Sequence, residues 1–253
     1  MNVLQTIAVA FSMFSKVPMP QFTWREENMK YSLVAFPLIG SLIGGVLFGV
    51  QYVTTLLELP QMIAGLLLCS IPFWITGGIH LDGFLDTMDA VSSYKSREEK
   101  LEILKDPHIG SFGVMHAVLI LLWNLAAWIC MPKVEWFVFV LLFTFSRSLS
   151  GLAVCCFPMA KDTGLVHMFA TEAVKGNART ALFALSMALT VVLLMISGEG
   201  AILAGIGWCM YGVYYLFSHR VFGGITGDLA GWFVSVTETL FICCLALAPL
   251  LGL

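Results

Sequence analysis

Charge is what this chain has least of. Only 13 Lys and Arg and 16 Asp and Glu occur in 253 residues, 11% of the whole, against roughly 25% in an average soluble domain. A soluble globule of this length has to coat itself with polar groups, so the deficit excludes one. No basic run occurs and the formal net charge is −3, which excludes a nucleic-acid binder. The apolar content excludes a disordered chain. The apolar runs do not alternate in strands of about 10 residues, so a β-barrel is excluded as well. There is no C-x-x-C pair. The seven cysteines, Cys69, Cys130, Cys155, Cys156, Cys209, Cys243 and Cys244, lie in or at the edge of apolar runs. There they read as small apolar filler, not as metal ligands or disulfides. The first apolar run, Val3–Phe14, has no basic segment before it and no A-x-A site after it. That pattern argues against a cleaved signal peptide.

What the chain does have is hydrophobic length. Hydrophobic residues make up 59% of it, and the mean hydropathy is +0.90. A membrane helix needs roughly 20 mostly apolar residues. Seven stretches qualify: Tyr31–Leu57, Gln61–Ile79, Gly113–Met131, Trp136–Phe157, Ala181–Ser197, Ala201–Phe217 and Leu229–Leu253. The N-terminal run is short, and Leu4, Ile7, Ala8 and Phe11 recur in it at helical spacing. It reads as an interfacial or half-inserted helix, with an eighth crossing left open. The expectation is an all-α, polytopic integral membrane bundle of about seven spans, forming one membrane-embedded domain over residues 1–253. Neither a repeat nor a low-complexity linker divides it.

The connections alternate in length. Val17–Lys30, His80–Phe112, Pro158–Thr180 and Ser218–Asp228 are long and polar, whereas Glu58–Pro60, Pro132–Glu135 and Gly198–Gly200 are three or four residues. Eleven of the 13 basic residues fall on the long side, counting Lys16 with the first loop. Lys133 alone falls on the short side, and Arg147 lies inside a span. By the positive-inside rule the long loops face the cytoplasm.

The acidic residues locate the chemistry. In Gly77-Gly-Ile-His-Leu-Asp-Gly-Phe-Leu-Asp-Thr-Met-Asp-Ala90, the ionisable side chains are His80, Asp82, Asp86 and Asp89, with no Lys or Arg among them. On a helix the three aspartates fall at i, i+4 and i+7 and share one face. Three carboxylates on one stripe repel each other unless a cation sits among them. Mg²⁺ takes such oxygen ligands and keeps substrate phosphates as further ones. A solvated acidic helix start explains one or two of these aspartates, but not three beside a histidine. Asp228, in the turn Gly223-Gly-Ile-Thr-Gly-Asp-Leu-Ala-Gly231, supplies a fourth carboxylate on the same side. Thr226 and the free amides of that turn suit a phosphate.

Further candidates are weaker. Lys105, Asp106 and His108 end the second long loop and suit contact with phosphate. Lys161, with Asp162, Thr163 and Gly164, opens a mixed-charge loop that reads as a lid or as a solvated face. Arg147 and Glu238 sit mid-span, where a lone charge costs roughly 2.5–3.5 kcal/mol even on the lenient scale. They read equally as substrate-binding groups or as a helix-locking pair. Carboxylates holding a divalent metal beside basic groups and glycine turns suit phosphoryl-type transfer.

The segment G-G-x-H-x-D-G-x-x-D-x-x-D at Gly77–Asp89 resembles the signature of the cobalamin synthase family, the adenosylcobinamide-GDP ribazoletransferases. The likeness continues through Lys105-Asp106, Ile109-Gly-Ser-Phe-Gly113 and Gly224-Ile-Thr-Gly-Asp228. It extends to Arg147, Lys161–Gly164 and Glu238, so it covers nearly the whole chain. Ala90 stands where glycine is expected and Pro107 where a small polar residue is usual; neither removes a charge. The resemblance implies a Mg²⁺-dependent multi-pass enzyme of the cytoplasmic (inner) membrane, late in vitamin B12 biosynthesis, with its active site on the cytoplasmic side. It would join adenosylcobinamide-GDP to α-ribazole or α-ribazole 5′-phosphate and release GMP. The implied partners are these small molecules and the bilayer, no nucleic acid, with a homo-oligomer left open. The implied metal ligands are Asp82, Asp86, Asp89 and Asp228. His80, Lys105 and Asp89 are the catalytic candidates, and Asp106, Arg147, Lys161, Thr226 and Glu238 the substrate-binding ones.

Two other classes are weighed against this one. A CDP-alcohol phospholipid phosphotransferase needs D-x-x-D-G-x-x-A-R, which Asp82-Gly83 does not complete. A transporter concentrates its charges near the midplane, often in inverted repeats, whereas this acidic cluster sits at one mouth.

Overall fold

Residues 3–20, 31–160, 172–196 and 198–251 are described by the structure, a computed structural model. Ten α-helices follow in order: α1 Val3–Phe14, α2 Ser32–Leu56, α3 Gln61–Thr76, α4 Ile79–Ser92, α5 Arg97–Ile103, α6 Ser111–Ile129, α7 Trp136–Cys156, α8 Glu172–Ile196, α9 Gly198–Phe222 and α10 Gly227–Leu247. A 3₁₀ turn, Ala248–Leu251, closes the described chain. Among the described residues there is no β-strand, only one parallel bridge between Met159 and Ile225. Among the described residues six helices, α2 and α6 to α10, are long and apolar enough to cross a membrane, and α3 and α4 pass the same test only as a pair, bent by 91° at the break between them. The chain is a multi-pass helical membrane protein.

Helix ends differ from the apolar boundaries. Apolar runs end at the water interface, but a helix does not, because its hydrogen bonds close within the chain. So α8 begins at Glu172, well before Ala181, and α9 continues past Phe217 to Phe222. The loops Pro158–Thr180 and Ser218–Asp228 are correspondingly shorter than expected.

In lipid the hydrophobic effect gives helices no reason to meet, so small residues and interhelical hydrogen bonds do the joining. The closest meeting is α2 on α7. A Cβ at Gly40 would stand 2.0 Å from the Phe143 carbonyl oxygen, and one at Gly44 would stand 2.5 Å from the Val140 Cα. Ser41 and Thr144 hydrogen-bond across the same seam at 2.7 Å. Elsewhere the Ser186 hydroxyl donates to Ser148 at 3.0 Å, the Trp208 indole to Thr190 at 3.0 Å, and the Asn124 amide to Thr239 at 2.6 Å.

The break between α3 and α4 depends on two glycines. Gly77 and Gly78 have φ of 67° and 81°, a region where side-chain-bearing residues are strained. The opened helix end is satisfied from outside: the backbone N–H of Lys16, just after α1, donates to the Ile75 carbonyl at 2.7 Å. The Lys16 side chain lies over Gly77, where a Cβ would come within 2.5 Å of it. The N-terminal segment thus buttresses the start of α4.

Candidate active site

Past the break, α4 lies between α10 and α6. Its contact with α10 runs through glycines on both sides. A Cβ at Gly83 would sit 2.7 Å from the Asp228 carbonyl oxygen, and one at Gly231 would sit 2.9 Å from that of His80. From Asp82 onward α4 is therefore level with the first turns of α10 and α6, at the end of the bundle where the long connections gather. This brings Asp82, Asp86 and Asp89 to Asp228, which is distant in sequence. The first turn of α10 is held twice. The Thr226 hydroxyl caps it by accepting the Leu229 amide at 3.3 Å. Ile225 pairs with the segment after α7, donating to Pro158 at 2.8 Å and accepting from Ala160 at 3.0 Å.

The carboxylates feel one another. Burial, then the neighbouring charges of Asp82, Asp228 and Asp89, push the Asp86 carboxyl up from 3.8 to about 6. Among the described residues, no three His, Cys, Asp or Glu side chains converge closely enough to enclose a metal by themselves. Mg²⁺ does not require that: it keeps several waters and is held by one or two carboxylates plus substrate phosphates. Solvent-reachable oxygen donors whose charges raise one another fit such an ion.

Asp89 has a further attachment. Its Oδ1 accepts the Gly113 backbone N–H at 3.3 Å, and its carboxylate fills the space beside Gly110, within 2.0 Å of where a Cβ would be. It caps α6 from another helix. The sequence held a signal for this: α6 opens after Gly110, with no Ser, Thr, Asp or Asn at its N-cap, so its first amides need an acceptor from elsewhere. Asp89→Asn, whose amide oxygen caps equally, should leave the Gly113 amide protected from hydrogen exchange. Asp89→Ala should speed its exchange roughly fivefold, the loss of about 1 kcal/mol of capping. If Asp89→Asn stays capped yet loses turnover, Asp89 takes part in the chemistry as well.

Two cavities meet at His80. The outer one, 230 Å³, lies between α1, α2, α4, α7 and α10, with Asp82, Asp228 and His80 on one side and Phe14, Leu33, Phe36 and Val154 on the other. The inner one, 50 Å³, is walled by His80, Thr76, Asn124, Arg147, Glu238 and Thr239, among others. It has room for ordered water. There Arg147 and Glu238, 1% and 9% exposed, form an ion pair between α7 and α10. The Ser146 hydroxyl donates to the same Glu238 oxygen at 2.6 Å, and Arg147 Nη1 donates to the Phe143 carbonyl at 3.2 Å. Arg147 Nε is buried without a partner among the described residues.

The remaining candidates lie apart. Lys105 Nζ binds Glu102 at 2.7 Å with its side chain 54% exposed. The Asp106 carboxylate accepts the His108 backbone N–H at 2.9 Å, and these bonds hold it below the usual carboxylate range. Neither Lys105 nor Asp106 lines either cavity. Lys161 lies outside the described residues. The sequence reading did not anticipate Ser146, the Gly83–Gly231 crossing or the Lys16 buttress; each depends on contacts between distant helices.

Fold and site define a multi-pass helical membrane protein whose acidic groups converge at one end of its bundle, above a buried ion pair. The chain belongs to the cobalamin-5-phosphate synthase family, whose sequence model matches residues 6–246. It is 39% identical over 235 residues to the adenosylcobinamide-GDP ribazoletransferase of Lachnoclostridium phytofermentans, covering 92% of this chain and 90% of that one. It is 31% identical over 238 residues to the protein of that name from Clostridium perfringens, covering 92% and 94%. With that from Geotalea daltonii it shares 31% over 252 residues, covering 98% and 99%. No solved structure matches the chain.

Proposed function

We propose that this protein is a Mg²⁺-dependent adenosylcobinamide-GDP ribazoletransferase of the cytoplasmic membrane, working from the cytoplasmic face. The observation that carries the reading is the meeting of α4 and α10, which brings Asp228 within electrostatic reach of Asp86 in the α4 acid stripe. A hydroxyl oxygen of α-ribazole, or of its 5′-phosphate, attacks the cobinamide-side phosphorus of the pyrophosphate. The new P–O bond forms as the bond to the bridging oxygen breaks, and GMP leaves with that oxygen. The hydroxyl proton passes to a carboxylate of the stripe.

One or two of Asp82, Asp86 and Asp228 would hold Mg²⁺ together with substrate phosphate, and the ion would offset the charge of the pyrophosphate and the leaving phosphate. Asp89 closes the stripe against α6. His80, between the two cavities, orients a carboxylate or contacts the phosphate. The Thr226 cap keeps the amides of α10's first turn pointing at the same place. The family match and the incomplete D-x-x-D-G-x-x-A-R motif both weigh against a phospholipid synthase, and the one-sided acid cluster weighs against a transporter.

The test uses purified protein in detergent. GMP release should require α-ribazole and Mg²⁺ together. Metal binding should also appear without turnover. With its carboxyl raised to about 6, Asp86 favours the metal-free fold below its ordinary value of 3.8 and loses that contribution as pH rises through about 6. Mg²⁺ offsets the loss, so it should raise the unfolding temperature at pH 7.5, and the rise should vanish as pH falls below about 6. A rise independent of pH, or none at pH 7.5, counts against the metal site.

A further inference from the structure

We infer that the 230 Å³ outer cavity is the subsite for the aromatic base of the acceptor, and that it delivers the acceptor's ribose hydroxyl to Asp82 and Asp228. The inference rests on the ribazoletransferase reading and adds which part of which substrate enters the protein.

The cavity has two unlike ends. Away from the carboxylates and His80, its walls are Phe14, Leu33, Phe36, Ile79, Val154 and Ala230, and among the described residues the Ser150 hydroxyl is the one polar side chain there. Phe14 and Phe36 meet at 4.7 Å between ring centroids with their planes tilted by 50°, and Phe36 faces His80 at 5.8 Å. A flat apolar ring is the ligand such walls accept, through edge and face contacts with the phenyl groups.

The two substrates offer four large parts, and the three carried by the donor fail. A corrin ring far exceeds 230 Å³. Guanine and the adenine of the adenosyl group carry donors and acceptors around their edges, and Phe, Leu and Val would leave most of them desolvated and unpaired. The benzimidazole base of α-ribazole is bicyclic, methylated and nearly apolar. Its one free ring nitrogen is an acceptor, which the single hydroxyl of Ser150 matches. A nucleoside seated base-first leaves its ribose at the open, acidic end, where the attacking hydroxyl belongs. The donor, with its corrinoid and nucleotide, then stays outside the bundle and brings only its pyrophosphate to the carboxylates.

The test compares wild type with two variants in walls remote from the carboxylates. Val154→Phe narrows the cavity and Leu33→Ala widens it. Val154→Phe should raise KM for α-ribazole at least tenfold while KM for adenosylcobinamide-GDP stays within twofold. Leu33→Ala should shift relative kcat/KM at least fivefold toward an acceptor whose base has one more fused ring. Binding of α-ribazole, followed by the fluorescence of its base without donor or metal, should weaken at least tenfold in Val154→Phe. That readout separates the subsite from the activity: binding lost in Val154→Phe supports the subsite even where no GMP is released. The inference is overturned if the KM values of both substrates move together. It is equally overturned if α-ribazole binds both variants as it binds wild type, the result expected if a lipid chain fills the cavity.

Discussion

Asp82→Asn and Asp228→Asn should each lower the rate of GMP release about a thousandfold while leaving the helical fold intact. An amide keeps the shape of the side chain but not its charge, and removing one charged group from a metal-assisted phosphoryl transfer forfeits several kcal/mol of transition-state stabilisation. Asp82 is exposed and Asp228 half-buried, so neither loss opens the core. The glycine contacts that join their helices involve backbone and persist in both variants. Single-turnover GMP release at saturating substrates, with circular dichroism as the control for folding, reads the two effects apart. Activity within tenfold of wild type in either variant would sink the role assigned to the carboxylate concerned.

Breaking the buried ion pair should act on the fold first. Arg147→Met leaves Glu238 9% exposed, without its cation and, among the described residues, with only the Ser146 hydroxyl as a partner. Removing one partner of a buried pair costs about 3–5 kcal/mol, enough to unfold many proteins. The double variant Arg147→Met/Glu238→Leu removes both charges and should recover most of that loss, because well-packed apolar residues replace buried pairs at little cost. The monodisperse fraction on size exclusion and the unfolding temperature check this. A single variant as stable as wild type would show that the pair does not lock α7 to α10. Turnover of the refolded double variant then separates the two readings of these residues: full activity leaves the pair a helix lock, and a stable but inactive protein places it in contact with substrate through the inner cavity.

Much of this architecture is legible in the residues because a bilayer asks a simple question of a sequence. Runs of about 20 apolar residues mark spans. The acid cluster is equally legible, since Asp82, Asp86 and Asp89 share a helical face whatever the helix packs against. The limits are physical too. Asp82 and Asp89 lie about 10 Å apart along a helix axis, so one stripe reaches two neighbours; only the placement of α6 shows that its far end caps another helix. Hydropathy carries on through Thr76, so the 91° turn is signalled only by two glycines whose φ the sequence does not reveal. Lys105 reads as a phosphate contact from its motif, yet Glu102, three residues earlier on the same short helical stretch, holds it at 2.7 Å. Arg147 and Glu238 are each anomalous alone, and their pairing becomes decisive only when α7 and α10 are seen side by side.

The crossing of Gly83 with α10 also sets a schedule for biogenesis. The acid stripe is made with the first third of the chain, while its counterpart Asp228 sits on the last helix, α10. At synthesis rates of about 5–20 residues per second, on the order of ten seconds separates the two. Until α10 is made, the glycine face of α4 lacks the Asp228 backbone it packs against. A chain stopped before α10 carries the acid stripe without Asp228.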